Sequence, residues 1–309
     1  MKRVISASRR TDLVASFPEW LARSLAEGRA AVFGPARKTV LVKGRAFAAE
    51  VDPRVEPGAP AAVDVRPESV HTVVLWSKDF SNLIRDAHGL RRAIERYDQI
   101  YILFTITGLG GTFIERGAIE PEAAFAQLPD LVRVAGSPRR VSVRFDPVVH
   151  WREAGETRTN LGRFADVAAR IASAGIEDVR ISFAQWYGKA VRRAARYGFD
   201  YVDPDEGRKL AAAARLVETA SKHGLRLYSC SQDFLTRVPG IKRSSCIDGA
   251  LLGKLHPRRE RASVARDKTQ RKECGCTTSI DIGSYAQSCP HACLYCYANP
   301  QERYAGPVA

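Results

Sequence analysis

The run Ile100-Tyr-Ile-Leu-Phe-Thr-Ile106 is short, apolar and rich in β-branched residues, and a turn-forming Thr107-Gly108 follows it. Such a run predicts a strand that is buried on both faces, as in a parallel sheet covered by other layers. Five similar runs lie elsewhere in the chain, at residues 3–7, 72–76, 141–145, 179–183 and 225–229. The repetition of these runs makes a parallel sheet the expected core of the fold.

Amphipathic segments separate the apolar runs, and we expect helices there. They cover residues 17–27, 81–97, 120–135, 161–174 and 205–223. Strands that alternate with helices predict an α/β fold, here a TIM-like or partial (β/α)6 parallel barrel. We expect the barrel to occupy residues 1–240, with a hairpin and loop insertion at 30–70. Residues 241–309 lack periodicity, and we expect a cysteine-rich, largely irregular extension packed on the barrel mouth.

The composition narrows the class of protein. The 309 residues are 45% hydrophobic and 27% charged, which excludes a disordered or fibrous chain. No stretch approaches the roughly 18 apolar residues that would span a bilayer, and no export signal is evident, so we expect a cytoplasmic protein without a membrane partner. The formal charge of +14 favours a polyanion such as nucleic acid, although arginine-rich codon usage explains it equally well.

Polar residues follow the predicted strands, at the edge where parallel barrels collect their chemistry. We expect Asp12, Lys78 and Asp146 to be catalytic residues, and Arg9 and Arg144 to hold anionic groups of a cofactor. A lattice of salt bridges that closes the barrel top is the alternative. Gly108 and Gly110 follow the strand at 100–106. Without side chains they would let the backbone approach an adenosyl ligand, or they would simply form a turn.

The most specific pattern is Cys289-Pro-His-Ala-Cys293-Leu-Tyr-Cys296. Three thiols spaced in this way can wrap one short loop around a cuboidal iron–sulfur cluster and leave one iron open. Zinc is the alternative, with His291 or the nearby pair Cys274 and Cys276 completing its ligands.

This spacing, with Tyr295 before the last cysteine, resembles the motif of the radical S-adenosylmethionine superfamily, and the string from Cys293 to Pro300 is similar to its spore photoproduct lyase branch. The resemblance implies a [4Fe-4S] cluster whose open iron binds S-adenosylmethionine, with Tyr295 beside the cofactor. It further implies a 5′-deoxyadenosyl radical that acts on a substrate, and an electron donor such as ferredoxin or flavodoxin. The position differs, because that superfamily carries the motif after its first strand.

The chain as a whole resembles a bacterial family called domain of unknown function 1848, whose C-terminal cysteines are likened to the same motif. The resemblance rests on motifs spread along the sequence, namely Ser8-Arg-Arg-Thr-Asp12, Trp76-Ser-Lys78, Thr107-Gly-Leu-Gly110, Arg144-Phe-Asp-Pro147, Cys246-Ile-Asp248 and Cys274-Gly-Cys276 through Asn299. The family brings no established reaction with it.

Four further cysteines suit a closed second site, either zinc or a second [4Fe-4S] cluster. They are Cys230, Cys246, Cys274 and Cys276. The leading hypothesis is therefore a radical S-adenosylmethionine enzyme with a small-molecule or nucleic-acid substrate. The alternatives are a non-catalytic iron–sulfur or zinc-binding barrel, a hydrolase or isomerase acting through Asp12, Lys78 and Asp146, and a nucleic-acid repair or modification enzyme.

Overall fold

The structure, a computed structural model, describes residues 1–32, 38–42, 45–49, 61–285 and 287–300. Its strands are β1 (Arg3–Ala7), β2 (Arg29–Val32), β3 (Lys38–Val42), β4 (Arg45–Ala49), β5 (Ala61–Asp64), β6 (Val70–Ser77), β7 (Ile100–Thr105), β8 (Val141–Val148), β9 (His150–Glu153), β10 (Glu156–Thr159), β11 (Asp178–Phe183), β12 (Tyr201–Val202), β13 (Arg226–Ser229), β14 (Ile241–Arg243) and β15 (Ile280–Asp281). Its α-helices are α1 (Leu13–Ser16), α2 (Pro18–Glu27), α3 (Ser81–Ile84), α4 (Leu90–Ile94), α5 (Pro121–Ala126), α6 (Leu128–Ala135), α7 (Phe164–Ser173), α8 (Gly188–Arg196), α9 (Glu206–Lys222) and α10 (Gly249–Leu255).

Eight strands form one sheet in the order β14-β13-β11-β8-β7-β6-β1-β15. Every neighbouring pair in this sheet is parallel. The carboxyl ends of all eight strands therefore meet at one edge. All six apolar runs that the sequence predicts as strands lie within this sheet, which confirms the α/β class.

Alternate residues along the strands face two different layers, as the period of two in a strand requires. On β7, Ile102 and Phe104 belong to the core that packs against the helices. Their neighbours Tyr101 and Leu103 belong to a second core, which residues 246–276 cover from the opposite side. Both faces of the sheet are thus buried, and this explains why its strands are apolar without alternation.

The prediction of six strands is too low, because two short strands from the C-terminal segment also join the sheet. These are β14 and β15, which flank its two edges. With three and two residues they are too short to show periodicity in the sequence. Among the described residues no backbone pairing joins β14 to β15, so a closed barrel is not observed.

The strand β15 fixes the end of the chain beside its beginning. Ile280 and Asp281 pair in register with residues of β1. The Asp281 carboxylate accepts hydrogen bonds from the Ser6 hydroxyl at 2.9 Å, the Ser8 hydroxyl at 2.9 Å and the backbone N–H of Arg9 at 2.8 Å. This pairing delivers the segment after residue 281, with its cysteines, to the edge where β1 ends.

Outside the main sheet the chain forms three small antiparallel units. They are β2 with β5, the hairpin of β3 with β4, and β10-β9-β12. The first two fall within the predicted insertion at 30–70, of which 33–37, 43–44 and 50–60 lie outside the described residues. The last nine residues of the predicted extension, 301–309, also lie outside them.

The prediction of one helix over residues 81–97 is wrong, because the chain forms two short helices there, α3 and α4. Asp86, His88 and Gly89 between them have positive φ angles, which end a right-handed helix. Similarly, the segment 120–135 divides into α5 and α6. None of the helices in the described part of the chain is both long enough and apolar enough to cross a membrane.

Packing of the sheet against its helices should be the main source of stability. Val143 on β8 is fully buried, whereas Val264 is 69% exposed. We expect Val143→Ala to lower the free energy of unfolding by about 2 kcal/mol, because buried methyl groups are lost and a cavity remains. The matched control Val264→Ala should change it by less than about 0.5 kcal/mol. Urea denaturation followed by circular dichroism measures both, and equal effects would contradict the assigned core.

Candidate functional site

The loop that carries Cys289, Cys293 and Cys296 lies at the edge where the parallel strands end. It contacts residues that follow three different strands: Asp12 after β1, Lys78 after β6 and Glu115 after β7. Cys293 is buried, and Cys289 and Cys296 are half-buried. The structure thus brings the three-cysteine motif together with two of the three predicted catalytic residues.

Backbone hydrogen bonds hold this cysteine loop in place. Leu294 N–H donates to the Ile114 carbonyl at 3.0 Å, and Gly117 N–H donates to the His291 carbonyl at 3.0 Å. The buried guanidinium of Arg193 on α8 donates to the carbonyls of Leu294 at 3.0 Å and Cys296 at 2.9 Å. A charged donor that satisfies two carbonyls of one loop restricts how far that loop can move.

His291 and Asp12 connect the cysteine loop to the first strand. The His291 Nε2 atom lies 2.7 Å from Asp12 Oδ2, and its Nδ1 lies 3.1 Å from the Gly117 carbonyl oxygen. Both ring nitrogens are therefore occupied, and the expectation that His291 could serve as a zinc ligand does not fit this arrangement. Asp12 also accepts from the Ser77 hydroxyl at 2.8 Å and caps α1, so its carboxylate is fully used in positioning.

Lys78 forms a buried ion pair with Glu115, a residue that the sequence analysis did not identify. Lys78 Nζ lies 2.8 Å from Glu115 Oε2, and the side chains are 13% and 2% exposed. Glu115 also accepts from the Thr107 hydroxyl at 2.6 Å and from the Tyr295 hydroxyl. Its only signal in the sequence is an acidic residue in the loop after an apolar strand, which is common.

The electrostatics keep this pair charged. Burial favours the neutral form of each group, but the pKa of Lys78 is raised by Glu115 and the pKa of Glu115 is lowered by Lys78. Burial raises the pKa of the Tyr295 hydroxyl well above its usual range, with Cys293 and Glu115 adding to the effect. Tyr295 is therefore a neutral hydroxyl donor to Glu115, and its ring lies 6.0 Å from Lys78 Nζ.

The three thiols of the loop are close neighbours but do not converge on one point. Burial raises the pKa of Cys293 well above its usual range, and Lys78 opposes this shift. A single metal ion needs several ligand atoms close to one another. In the described part of the chain, only Asp98, His256 and Glu260 place three such atoms from His, Cys, Asp or Glu within 4.8 Å of one another. The three sulfurs thus do not form a ready site for a single metal ion.

Basic side chains already lie beside Asp98, His256 and Glu260, and a metal ion would have to compete with them for the two carboxylates. Lys2 Nζ lies 3.2 Å from both Asp98 and Glu260, and Arg258 is paired with both as well. The negative charge of these carboxylates is already balanced. Burial lowers the pKa of His256, whose ring lies against His71 at 4.4 Å between centroids.

The glycines at the end of β7 are explained by packing within the chain. A Cβ at Gly110 would lie 1.7 Å from the Ile119 carbonyl oxygen, and one at Gly108, where φ is +72°, would lie 2.6 Å from Arg163 Cβ. The cavity beside these glycines and Lys78 has a volume of about 10 Å³. That volume admits one water at most.

The remaining predicted residues, Arg9, Arg144 and Asp146, lie around Trp76. The two guanidinium carbons are 5.4 and 5.1 Å from the Trp76 ring centre. Asp146 pairs with Arg144 and accepts from the Ser182 hydroxyl. Burial lowers the pKa of Arg144, but Asp146 and the thiols of Cys246 and Cys230 outweigh this and raise it. The arginines thus adjoin the second set of cysteines.

The larger cavity, of about 490 Å³, opens at the opposite edge of the sheet, where β11 and β13 begin. Its lining is rich in charge, but Arg226 is already paired with Asp178 at 2.8 Å and with Glu177 at 2.5 Å. Arg193, one of the basic residues behind the net positive charge, is buried under the cysteine loop. Its positive charge therefore stabilises the cysteine loop.

Breaking the buried ion pair should be costly. We expect Lys78→Met to lower the free energy of unfolding by about 3–5 kcal/mol, because it leaves the Glu115 carboxylate buried without a cation. The double variant Lys78→Met, Glu115→Gln should recover most of this loss, whereas the exposed Lys189→Met should change stability by less than about 0.5 kcal/mol. Chemical denaturation of the three variants measures this, and no recovery in the double variant would contradict a coupled pair.

The glycine at position 110 offers a second test of the site's packing. Gly110→Ala should cost about 2 kcal/mol or more of unfolding free energy, because the new methyl group meets a backbone carbonyl that cannot rotate away. Gly162→Ala is the matched control, since nothing lies within 4 Å of its Cβ position and its φ is not left-handed. Thermal denaturation compares the two, and equal midpoints would mean that Gly110 is not needed for close packing.

The comparison with protein families covers almost the entire chain. A family model described as a domain of unknown function, DUF1848, matches residues 4–298, from β1 to the end of the cysteine loop. No curated protein matches the chain. Because the match includes the whole parallel sheet and all seven cysteines, the chain belongs to the DUF1848 family.

Proposed function

We propose that this protein is a radical S-adenosylmethionine-type iron–sulfur enzyme. In this proposal the parallel sheet curves into a partial, TIM-like barrel, and Cys289, Cys293 and Cys296 hold a [4Fe-4S] cluster over its mouth. The observation that carries the proposal is the position of the cysteine loop. It lies at the carboxyl edge of the sheet, where parallel α/β folds collect their chemistry.

The donor set suits a cluster better than a single ion. Three thiols on one short loop are the ligands that iron–sulfur clusters take, and each would bind a different iron. Sulfurs on different irons need not converge on one point, which agrees with their spacing here. The N–H of Ala298 also lies 3.4 Å from Cys296 Sγ, where it would stabilise a thiolate.

Three cysteine ligands leave one iron of a cubane without a protein ligand. S-adenosylmethionine bound there would supply a 5′-deoxyadenosyl radical for hydrogen abstraction, because one electron from a donor such as ferredoxin or flavodoxin would break its S–C5′ bond and release methionine. The space beside Gly108 is too small for an adenosyl group with the loop 107–118 as it stands. Binding on that side would require this loop to move.

The chain's own residues would position the cysteine loop. The Lys78–Glu115 pair and the Tyr295 hydroxyl fix its side toward β6 and β7, while Asp12 and His291 fix its side toward β1. Lys78 also places a positive charge near Cys293, which would favour the thiolate that binds iron. Asp12, Lys78 and Asp146 each have charged or hydrogen-bonded partners, which suits a role in positioning.

A non-catalytic metal protein is the second candidate, and the cavity of about 10 Å³ at this site favours it. In that case the cluster would only order the C-terminal segment. Cofactor cleavage separates the two candidates, because only the enzyme would bind and cleave S-adenosylmethionine.

The test is anaerobic reconstitution of the full chain with iron and sulfide, followed by reduction in the presence of S-adenosylmethionine. We expect 5′-deoxyadenosine by chromatography and a change in the electron paramagnetic resonance spectrum of the reduced cluster when the cofactor is added. Cys293→Ser should reduce the product to background, since the cluster loses a ligand, whereas Val264→Ala should retain it. A reduced, intact cluster that yields no 5′-deoxyadenosine and no spectral change would refute the enzyme.

A further inference from the structure

The four cysteines outside the loop meet in one place although they come from separate parts of the chain. Cys230 follows β13, Cys246 follows β14, and Cys274 and Cys276 precede β15. The Sγ atoms of Cys230 and Cys246 are 3.3 Å apart. Cys230 and Cys276 lie close enough to Cys246 to raise the pKa of its thiol. Cys276 also raises the pKa of the Cys274 thiol. The four thiols are thus neighbours in one cluster.

This group of thiols lies against the face of the sheet that residues 246–276 cover. Cys246, Cys274 and Cys276 are buried in the core that contains Trp76 and Tyr101, and Cys230 packs against it. A single buried cysteine acts as a small apolar residue. That role does not explain why four thiols from three segments should contact one another, because any small apolar side chains would pack equally well.

Two features of the surroundings would stabilise negatively charged sulfur. The backbone N–H of Ile247 lies 3.4 Å from Cys276 Sγ, a contact that favours a thiolate. Arg9 and Arg144 lie beside the thiols, and Arg144 Nε is buried without a hydrogen-bond partner in the described part of the chain. This N–H is therefore available to an acceptor such as a thiolate of a bound centre.

We propose that Cys230, Cys246, Cys274 and Cys276 hold a second metal centre with four thiolate ligands. Each thiol would lose its proton on binding, and Arg9 and Arg144 would balance the resulting negative charge. Four protein ligands leave no open coordination position, so the centre would order the C-terminal segment or carry electrons and would not bind substrate. This proposal does not rest on the function proposed for the first site.

Zinc and a [4Fe-4S] cluster share this ligand chemistry. No three of the four sulfurs lie within 4.8 Å of one another in the described structure. Sulfurs bound to one tetrahedral zinc ion lie about 4 Å apart, at a Zn–S bond of about 2.3 Å, whereas a cubane holds its thiolates at four corners that lie farther apart. The 3.3 Å between the Sγ atoms of Cys230 and Cys246 is closer to the zinc spacing. We therefore expect zinc at this centre, and metal analysis distinguishes it from a cluster.

The experiment uses the full chain with the first site removed, as Cys289→Ala, Cys293→Ala, Cys296→Ala. After loading with zinc alone, metal analysis should give about one zinc per chain, as a site with four thiolate ligands requires. About four irons per chain with a brown chromophore, after anaerobic reconstitution with iron and sulfide, would also support the four-thiolate centre and would change only the identity of its metal. Adding Cys276→Ser to this variant should abolish the metal.

A second measurement keeps the proposal testable if the Cys276→Ser chain does not fold. In the variant without the first site, the four remaining thiols should resist alkylation by maleimide until a chelator is added. A folded, metal-free variant with four reactive thiols would overturn the proposal, and so would a disulfide between Cys230 and Cys246 that persists under reducing conditions. The variant lacks the three cysteines of the first site, so its metal content and thiol reactivity do not depend on whether the first site binds a cluster. The two proposals can therefore be refuted independently.

Discussion

The carboxylate of Asp281 receives hydrogen bonds from Ser6, Ser8 and Arg9, residues some 270 positions away in the chain. This contact fixes a strand of only two residues against β1. Two residues cannot form a strand through their own preferences, so the side-chain contacts and the existing edge of β1 must supply the stability. Everything after residue 281, including the three-cysteine loop, depends on this anchor for its position above the sheet.

Beyond the anchor, polar contacts hold the cysteine loop in addition to the apolar packing of Leu294. The Lys78–Glu115 pair, the His291–Asp12 contact and the Arg193 bonds to loop carbonyls come from three sides. Hydrogen bonds and ion pairs are directional, whereas apolar contacts are not. A loop that must present three sulfurs in fixed positions therefore gains from polar anchoring, at the cost of desolvating the groups involved.

The two groups of cysteines are separate but share neighbours. The Tyr297 hydroxyl, next to Cys296, donates to the Arg9 carbonyl at 2.6 Å, and the Arg9 side chain reaches Cys276. Arg144 lies near Cys230 and Cys246 on one side and near Tyr297 on the other. Arginine side chains thus lie between the two groups, where both would place negative charge if they bound metal.

The sequence by itself determined the α/β class, six of the eight strands and the spacing of the cysteines, because these depend on local periodicity and on adjacent residues. It also identified Asp12 and Lys78 as residues that follow strands. Only the tertiary structure decided that β14 and β15 complete the sheet, that Glu115 is the partner of Lys78, and that Cys230, Cys246, Cys274 and Cys276 meet. Short strands carry no period, and a contact between distant residues depends on how the sheet brings its loops together.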